Sequence, residues 1–361
     1  MYQIMQTLLL IQQFLISQRP SLYISGYSES VFHMHKTYKA AVVQAAPAFL
    51  DLQGGVEKTI KYIKEAAAND AKIVVFPECF IPGYPWWVWL QNPAESIVQG
   101  YVSRYYDNAL VYGSPEAQQI AAAAAEAGIT VVLGLTEKIG STLYIAQWVI
   151  GAEGETIRRR RKLRVTHAER YVFGEGDGSD IAVDDIPTLG KVGALSCWEH
   201  ILSLNRYAMC TMGEEVHCAA WPSFSVYTAL TSSLSAEVNC ALARTYAVEL
   251  SCFVLSACST VSPEMIEELC GTDEGKHKLL QAGGGHSRIF APDGSELAEN
   301  LAPTEEGILY ATVDTRLIDV AHSVSDPAGH YSRPDVYRLL FNSNKQERIE
   351  RGEIAGKRTL S

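Results

Sequence analysis

The chain has 361 residues, 47% hydrophobic and 20% charged, the balance of a soluble globular protein with one large or two ordinary domains. Its formal net charge of −11 argues against nucleic acid or an anionic membrane surface as the main partner. Eight cysteines lie partly inside apolar runs without the spacing of a stapled mini-protein, so reduced thiols and a cytoplasmic setting are expected.

Residues 8–16 are apolar, but the run is too short to span a bilayer, and neither a preceding positive charge nor a small-residue cleavage site accompanies it. Regular patterning starts just after Met34, so residues 1–35 read as an extension outside the core. Residues 38–45 read as a first strand and 56–68 as a helix, with Ile60, Ile63, Ala66 and Ala67 at helical spacing. Residues 72–76 form a second buried strand, followed by Pro77, Glu78 and Cys79. An aromatic loop comes next, with Tyr84, Trp86, Trp87 and Trp89; the last two read as core or interface. Residues 115–127 are helical and 129–134 make a third strand. Residues 143–150 and 155–161 pair as a hairpin across a Gly-rich turn.

The apolar run 192–195 has the length and residue types of a buried strand, and Cys197 stands at its end. A helix is expected directly after it, through Leu204 and Tyr207, with N-terminal amides aimed at the sulfur to favour thiolate. Strands at 216–220, 252–257, 287–291 and 307–313 follow, with helices at 235–250 and 316–323. The tail after residue 342 is charged. Strands alternating with helices and hairpins, without a linker, give one α/β domain over residues 36–342 and a tail over 343–361.

Three strand ends carry chemistry. Cys197 is a nucleophile or a core cysteine. Glu78 is a used carboxylate or a loop residue. Lys162 is a functional ammonium or one more base after Arg158, Arg159, Arg160 and Arg161, which read as a solvated face. Together they suit attack on a carbonyl or nitrile carbon. A glutamate takes the thiol proton, and an ammonium with a backbone N–H stabilises charge on O or N. Other patterns are weaker. Cys197, His200, Cys210, His217 and Cys218 fit no zinc spacing, loop 174–180 lacks the calcium-loop glutamate, and Gly283–Gly284–Gly285 lacks a phosphate-loop lysine.

Phe76-Pro77-Glu78, then Arg161-Lys162-Leu163 with Thr166, Glu169 and Arg170, then Ser196-Cys197-Trp198-Glu199-His200 resemble the three signature segments of the nitrilase superfamily, in order and separation. Cys-Trp-Glu-His resembles the nitrilase and cyanide hydratase branch more than the amidase branches. The resemblance implies a four-layer αββα sandwich that pairs into αββα-αββα dimers and larger spirals. It implies Glu78 as general base, Lys162 as stabiliser of the tetrahedral intermediate, Cys197 as nucleophile and Glu169 as a fourth, positioning or proton-handling residue. Trp198 would offer its backbone N–H, and Tyr84, Trp86 and Trp221 would line the pocket for a small nitrile. No metal and no cofactor are implied. The sequence departs from the family pattern at Val165, usually proline, and at Ile145, usually asparagine. The expected activity is hydrolysis of an organic nitrile to acid and ammonia, with a hint of aryl or arylaceto substrates from the aromatic loop. A cyanide hydratase or dihydratase and other amide-forming relatives would use the same residues, and an inactive filament-forming assembly protein is the alternative from another class.

Overall fold

The computed structural model describes residues 35–347 except Ala229; the expected extension before them and most of the charged tail lie outside the described residues. Among the described residues, twelve strands form two sheets. β1 (Thr37–Gln44), β2 (Ala71–Val75), β3 (Thr130–Ile139), β4 (Thr142–Ile150), β5 (Thr156–Arg161) and β6 (Phe173–Gly174) belong to the first. β7 (Val183–Ile186), β8 (Gly190–Ser196), β9 (Val216–Trp221), β10 (Phe253–Cys258) and β11 (Arg288–Phe290) make the second, and β12 (Gly307–Asp314) returns to the first. The first sheet runs in the order β12-β1-β2-β3-β4-β5, with β6 beside β4; the second runs β11-β10-β9-β8-β7.

The alternation of β1 sets the layers. Ala40 and Val42 point one way, to meet Val192, Val216, Phe253 and Leu255 of the second sheet. Ala41 and Val43 point the other way, onto helices α1 (Leu52–Ala68) and α2 (Pro115–Ala127) through Val56, Ile63, Ala66, Ile120 and Ala124. The far face of the second sheet, with Leu195, Ala219 and Val254, packs on α3 (Ser203–Thr211) and α4 (Ala236–Leu250). The result is the expected αββα order, helix–sheet–sheet–helix.

Helix α1 starts four residues before the expected point. Asp51 accepts from the Gly54 N–H as N-cap, and glycine at position 55 lets the helix lie against Ile81. β3 outlasts its expected end at 134 and continues to Ile139. The α-helix expected directly after Cys197 is a 3-10 turn from Cys197 to Ile201, and α3 begins only at Ser203. Since β2 and β3 run parallel, and β4 and β5 alternate antiparallel after them, the C-terminal ends of β2 and β5 lie at one edge. The parallel strands β8 and β9 end there too, tied in by the Glu78 N–H donating to the Trp221 carbonyl at 3.2 Å.

Candidate active site

Glu78 and Lys162 come from the ends of two strands of one sheet, and Cys197 from the end of a strand of the other. Lys162 Nζ donates to both oxygens of Glu78 at 3.4 and 3.3 Å and to both oxygens of Glu169 at 3.2 and 3.0 Å. All three side chains are buried, and Cys197 is 8% exposed. Glu169 sits in a short 3-10 turn, where its carboxylate reaches back to the Thr166 N–H at 2.6 Å and also accepts from the Tyr84 hydroxyl at 2.8 Å. Those bonds fix its pose in a loop with Val165 in the usual proline position; Val165 is itself buried. Ile145 is buried as well and contributes only its carbonyl, which accepts from the Lys162 N–H at 2.7 Å.

The electrostatics follow from burial and this grouping. Burial pushes the Glu78 carboxyl up; Lys162 pulls it back and Glu169 adds to the rise. Burial works against the Lys162 charge, but Glu169 and then Glu78 outweigh it, so the ammonium holds its proton well above the ordinary range. Burial also pushes the Cys197 thiol well up. Lys162 opposes this, Glu78 and Glu169 reinforce it, and the Trp198 N–H pulls back. A 3-10 turn stands where the thiolate-favouring helix terminus was expected, and burial holds the thiol above its ordinary range. Such a thiol needs a base in contact, and a carboxylate made more basic by burial suits that role.

A second ion pair holds this edge. Arg160, read above as solvated, is fully buried, because strand alternation turns Arg158, Arg160 and Lys162 toward the second sheet. Arg160 Nη2 donates to both oxygens of Glu199 at 2.7 and 2.8 Å. Glu199 also accepts from the Leu163 N–H at 2.7 Å and the Ser196 N–H at 2.8 Å, joining the segment after Lys162 to the one before Cys197. Arg158 pairs with Asp184 and Arg161 with Glu137, while Arg159 lies over the Tyr112 ring. Sequence reasoning passed over Glu199 as a separate group, although its place two residues after the cysteine was a signal.

A cavity of about 30 Å³ opens beside Cys197. Tyr84, Trp86 and Trp198 line it, as does Trp89, read above as core. The Trp89 indole N–H donates to the Tyr84 hydroxyl at 3.0 Å, and the Trp198 indole N–H to Asn239 at 3.0 Å. Trp87 is buried elsewhere, stacked on Tyr101. Trp221 does not reach the cavity: its ring is fully buried, stacked on His200 and edge-on to Phe224. Strand alternation accounts for this, since Trp221 continues the face of β9 that carries Ala219 toward α4.

Residues 39–322 match the carbon-nitrogen hydrolase family. The chain is 53% identical over 311 residues to a protein named nitrilase from Pseudomonas syringae pv. syringae (strain B728a), covering 86% of this chain and 91% of that one. It is 46% identical to one named aliphatic nitrilase from Rhodococcus rhodochrous, over 85% of this chain and 83% of that one. Among solved structures, the carbon-nitrogen hydrolase from Helicobacter pylori G27 superposes with a TM-score of 0.66 at 18% identity, covering 84% of this chain and 97% of that one, a likeness of fold.

Proposed function

Because the chain belongs to the carbon-nitrogen hydrolase family, within its nitrilase branch, we propose that it hydrolyses an organic nitrile to the carboxylic acid and ammonia. The observation that carries this reading is the fully buried ammonium of Lys162 between the carboxylates of Glu78 and Glu169, at the strand edge where Cys197 ends its own strand.

In this reading Glu78 takes the Cys197 proton as sulfur adds to the nitrile carbon, and the nitrogen is protonated to give a thioimidate. Water adds to the C=N carbon, giving a tetrahedral centre bearing S, OH and NH2. Lys162 and the Trp198 N–H stabilise the charge that develops on the heteroatoms. Protonation and loss of ammonia leave a thioester, and a second water releases the acid and the free thiol. Expulsion of the sulfur from the tetrahedral centre would instead release an amide. Glu169, held by Tyr84 and Thr166, keeps Lys162 aimed and supplies a second proton-handling carboxylate.

The aromatic lining of the cavity supports flat, aryl-bearing substrates. Ammonia and product identity from cyanide, propionitrile, benzonitrile, phenylacetonitrile and one aliphatic amide test the reading. Acid and ammonia from an organic nitrile are expected; amide alone, or turnover of cyanide alone, would move the protein to the hydratase reading. Cys197→Ala is expected to lower turnover at least about 10³-fold with the fold intact. Self-association is part of the reading, and size-exclusion chromatography with light scattering tests it: a species larger than one chain is expected, and a monomer would overturn it. Eight free thiols, without a disulfide among the described residues, support a reducing compartment. No helix among those residues is long and apolar enough to cross a membrane.

A further inference from the structure

On the other side of Cys197 lies a buried polar row that the chemistry above does not use. The turn after β8 brings His200 over β9, which carries His217 just after Glu214, and Tyr246 of α4 closes the row. His200, His217 and Tyr246 are 0% exposed and Glu214 3%. His200 Nδ1 is 2.5 Å from the Cys197 carbonyl oxygen, and His200 Nε2 is 2.9 Å from His217 Nε2. His217 Nδ1 is 2.7 Å from Glu214 Oε1, and the Tyr246 hydroxyl donates to Glu214 Oε2 at 2.5 Å.

The donors follow in order. A carbonyl only accepts, so His200 Nδ1 carries a hydrogen. Burial, then His217, Arg160 and Arg206, hold His200 well below its ordinary range, so it is neutral and its Nε2 accepts. His217 Nε2 must then donate, and one proton is left between His217 Nδ1 and Glu214. Burial, with Arg160 nearby, holds His217 well down against Glu199, and burial pushes Glu214 up to about 8 despite the Tyr246 hydroxyl. The proton belongs on Glu214. Hydrogens therefore point one way, from Glu214 through His217 and His200 to Cys197.

The end of that row is a meaningful place. Cys197 has φ +49°, a left-handed conformation few side-chain-bearing residues adopt, and such positions persist only where surroundings hold them. Its carbonyl and the Trp198 N–H belong to one planar peptide unit, so fixing the oxygen fixes the direction of the N–H. That N–H lowers the Cys197 thiol. We propose that His200, His217, Glu214 and Tyr246 form a one-directional positioning relay, clamping the Cys197–Trp198 peptide so that its N–H meets the atom that gains negative charge. The proposal rests on Cys197 being the nucleophile.

The test compares His200→Asn, whose amide N–H replaces Nδ1–H, with His200→Phe, and Glu214→Gln, whose amide donates to His217 and accepts from Tyr246, with Glu214→Leu. Kinetics use phenylacetonitrile and propionitrile. A second readout is the rate of iodoacetamide alkylation at Cys197, resolved by peptide mass spectrometry. His200→Phe and Glu214→Leu are expected to lower kcat about 100-fold with KM changed less than about threefold, as for a misaimed donor. His200→Asn and Glu214→Gln should return to within about tenfold of wild type, and Cys197 alkylation should slow about tenfold only in the disruptive pair. If His200→Phe does not fold, the pair at 214 decides. Equal rates within each pair, by both readouts, would overturn the relay. An inert wild type would instead sink the nitrile reading and leave the alkylation comparison to judge the relay.

Discussion

A guanidinium placed between two sheets is costly unless its charge is matched, and Arg160 is matched by Glu199 with Gln147 at 2.7 Å beside it. Arg160→Ala leaves the Glu199 carboxylate buried and unpaired. A loss of about 3–5 kcal/mol in urea unfolding is expected; a loss under about 1 kcal/mol would mean the pair holds nothing. The run of arginines was visible in the sequence, but which of them faces inward depends on where β5 starts and on what lies across from it. His200 and His217 give a second outcome at this scale. Both have folded pKa values well below 6.5, so the native state takes up fewer protons than the unfolded chain. Their share of stability is complete above about 6.5 and is lost as pH falls from there toward the depressed folded values. Each contributes a slope approaching about 1.4 kcal/mol per pH unit, and His200→Asn should remove one share, as pH-dependent urea midpoints would show.

At the scale of elements, the segment just past β2 lies so close to β3 at the site that only glycine fits at position 134. A Cβ there would stand 2.0 Å from the Pro77 carbonyl oxygen and 3.0 Å from the Glu78 Cα, both backbone atoms. Gly134→Ala must push the end of β2 aside and carry Glu78 with it. Activity should fall at least about 100-fold while far-UV circular dichroism stays near wild type; unchanged kcat/KM would show that the strand end yields without moving the carboxylate. The long strands and the helices α2 and α4 were legible because apolar periodicity and caps mark them: Ser114 caps α2 and Ser235 caps α4. Short pieces were not, among them β7 and the helical turns between positions 87 and 108. Too few residues carry a period there: pairing with β8 sets β7, and packing against the aromatic cluster around Trp87 decides the shape of the helical turns.

At the scale of the whole molecule, the layer order was legible because strands buried on both faces, with helices between them, have few ways to cover themselves. The residues of the candidate site could be named from the sequence, but their arrangement could not. Glu78, Lys162, Glu169 and Cys197 could be named from segments far apart in the chain, whereas Trp89 and Trp221 exchanged places between pocket and core. A tryptophan signals a large buried surface, and only strand phase and loop path say which side it covers.

The split of the proposed catalytic groups between two sheets has a mechanical corollary. Glu78 and Lys162 move with one sheet and Cys197 with the other, tied across the gap by the Glu78–Trp221 backbone bond, the Arg160–Glu199 pair and the Gln147 amide donating to the Cys218 carbonyl at 3.2 Å. In the proposed mechanism turnover is thus a vernier for the alignment of two plates, sensitive to a slip far smaller than unfolding. Under rising urea or hydrostatic pressure, catalysis should fade while circular dichroism still reports intact secondary structure. Coincident midpoints would show instead that the plates never slide without coming apart.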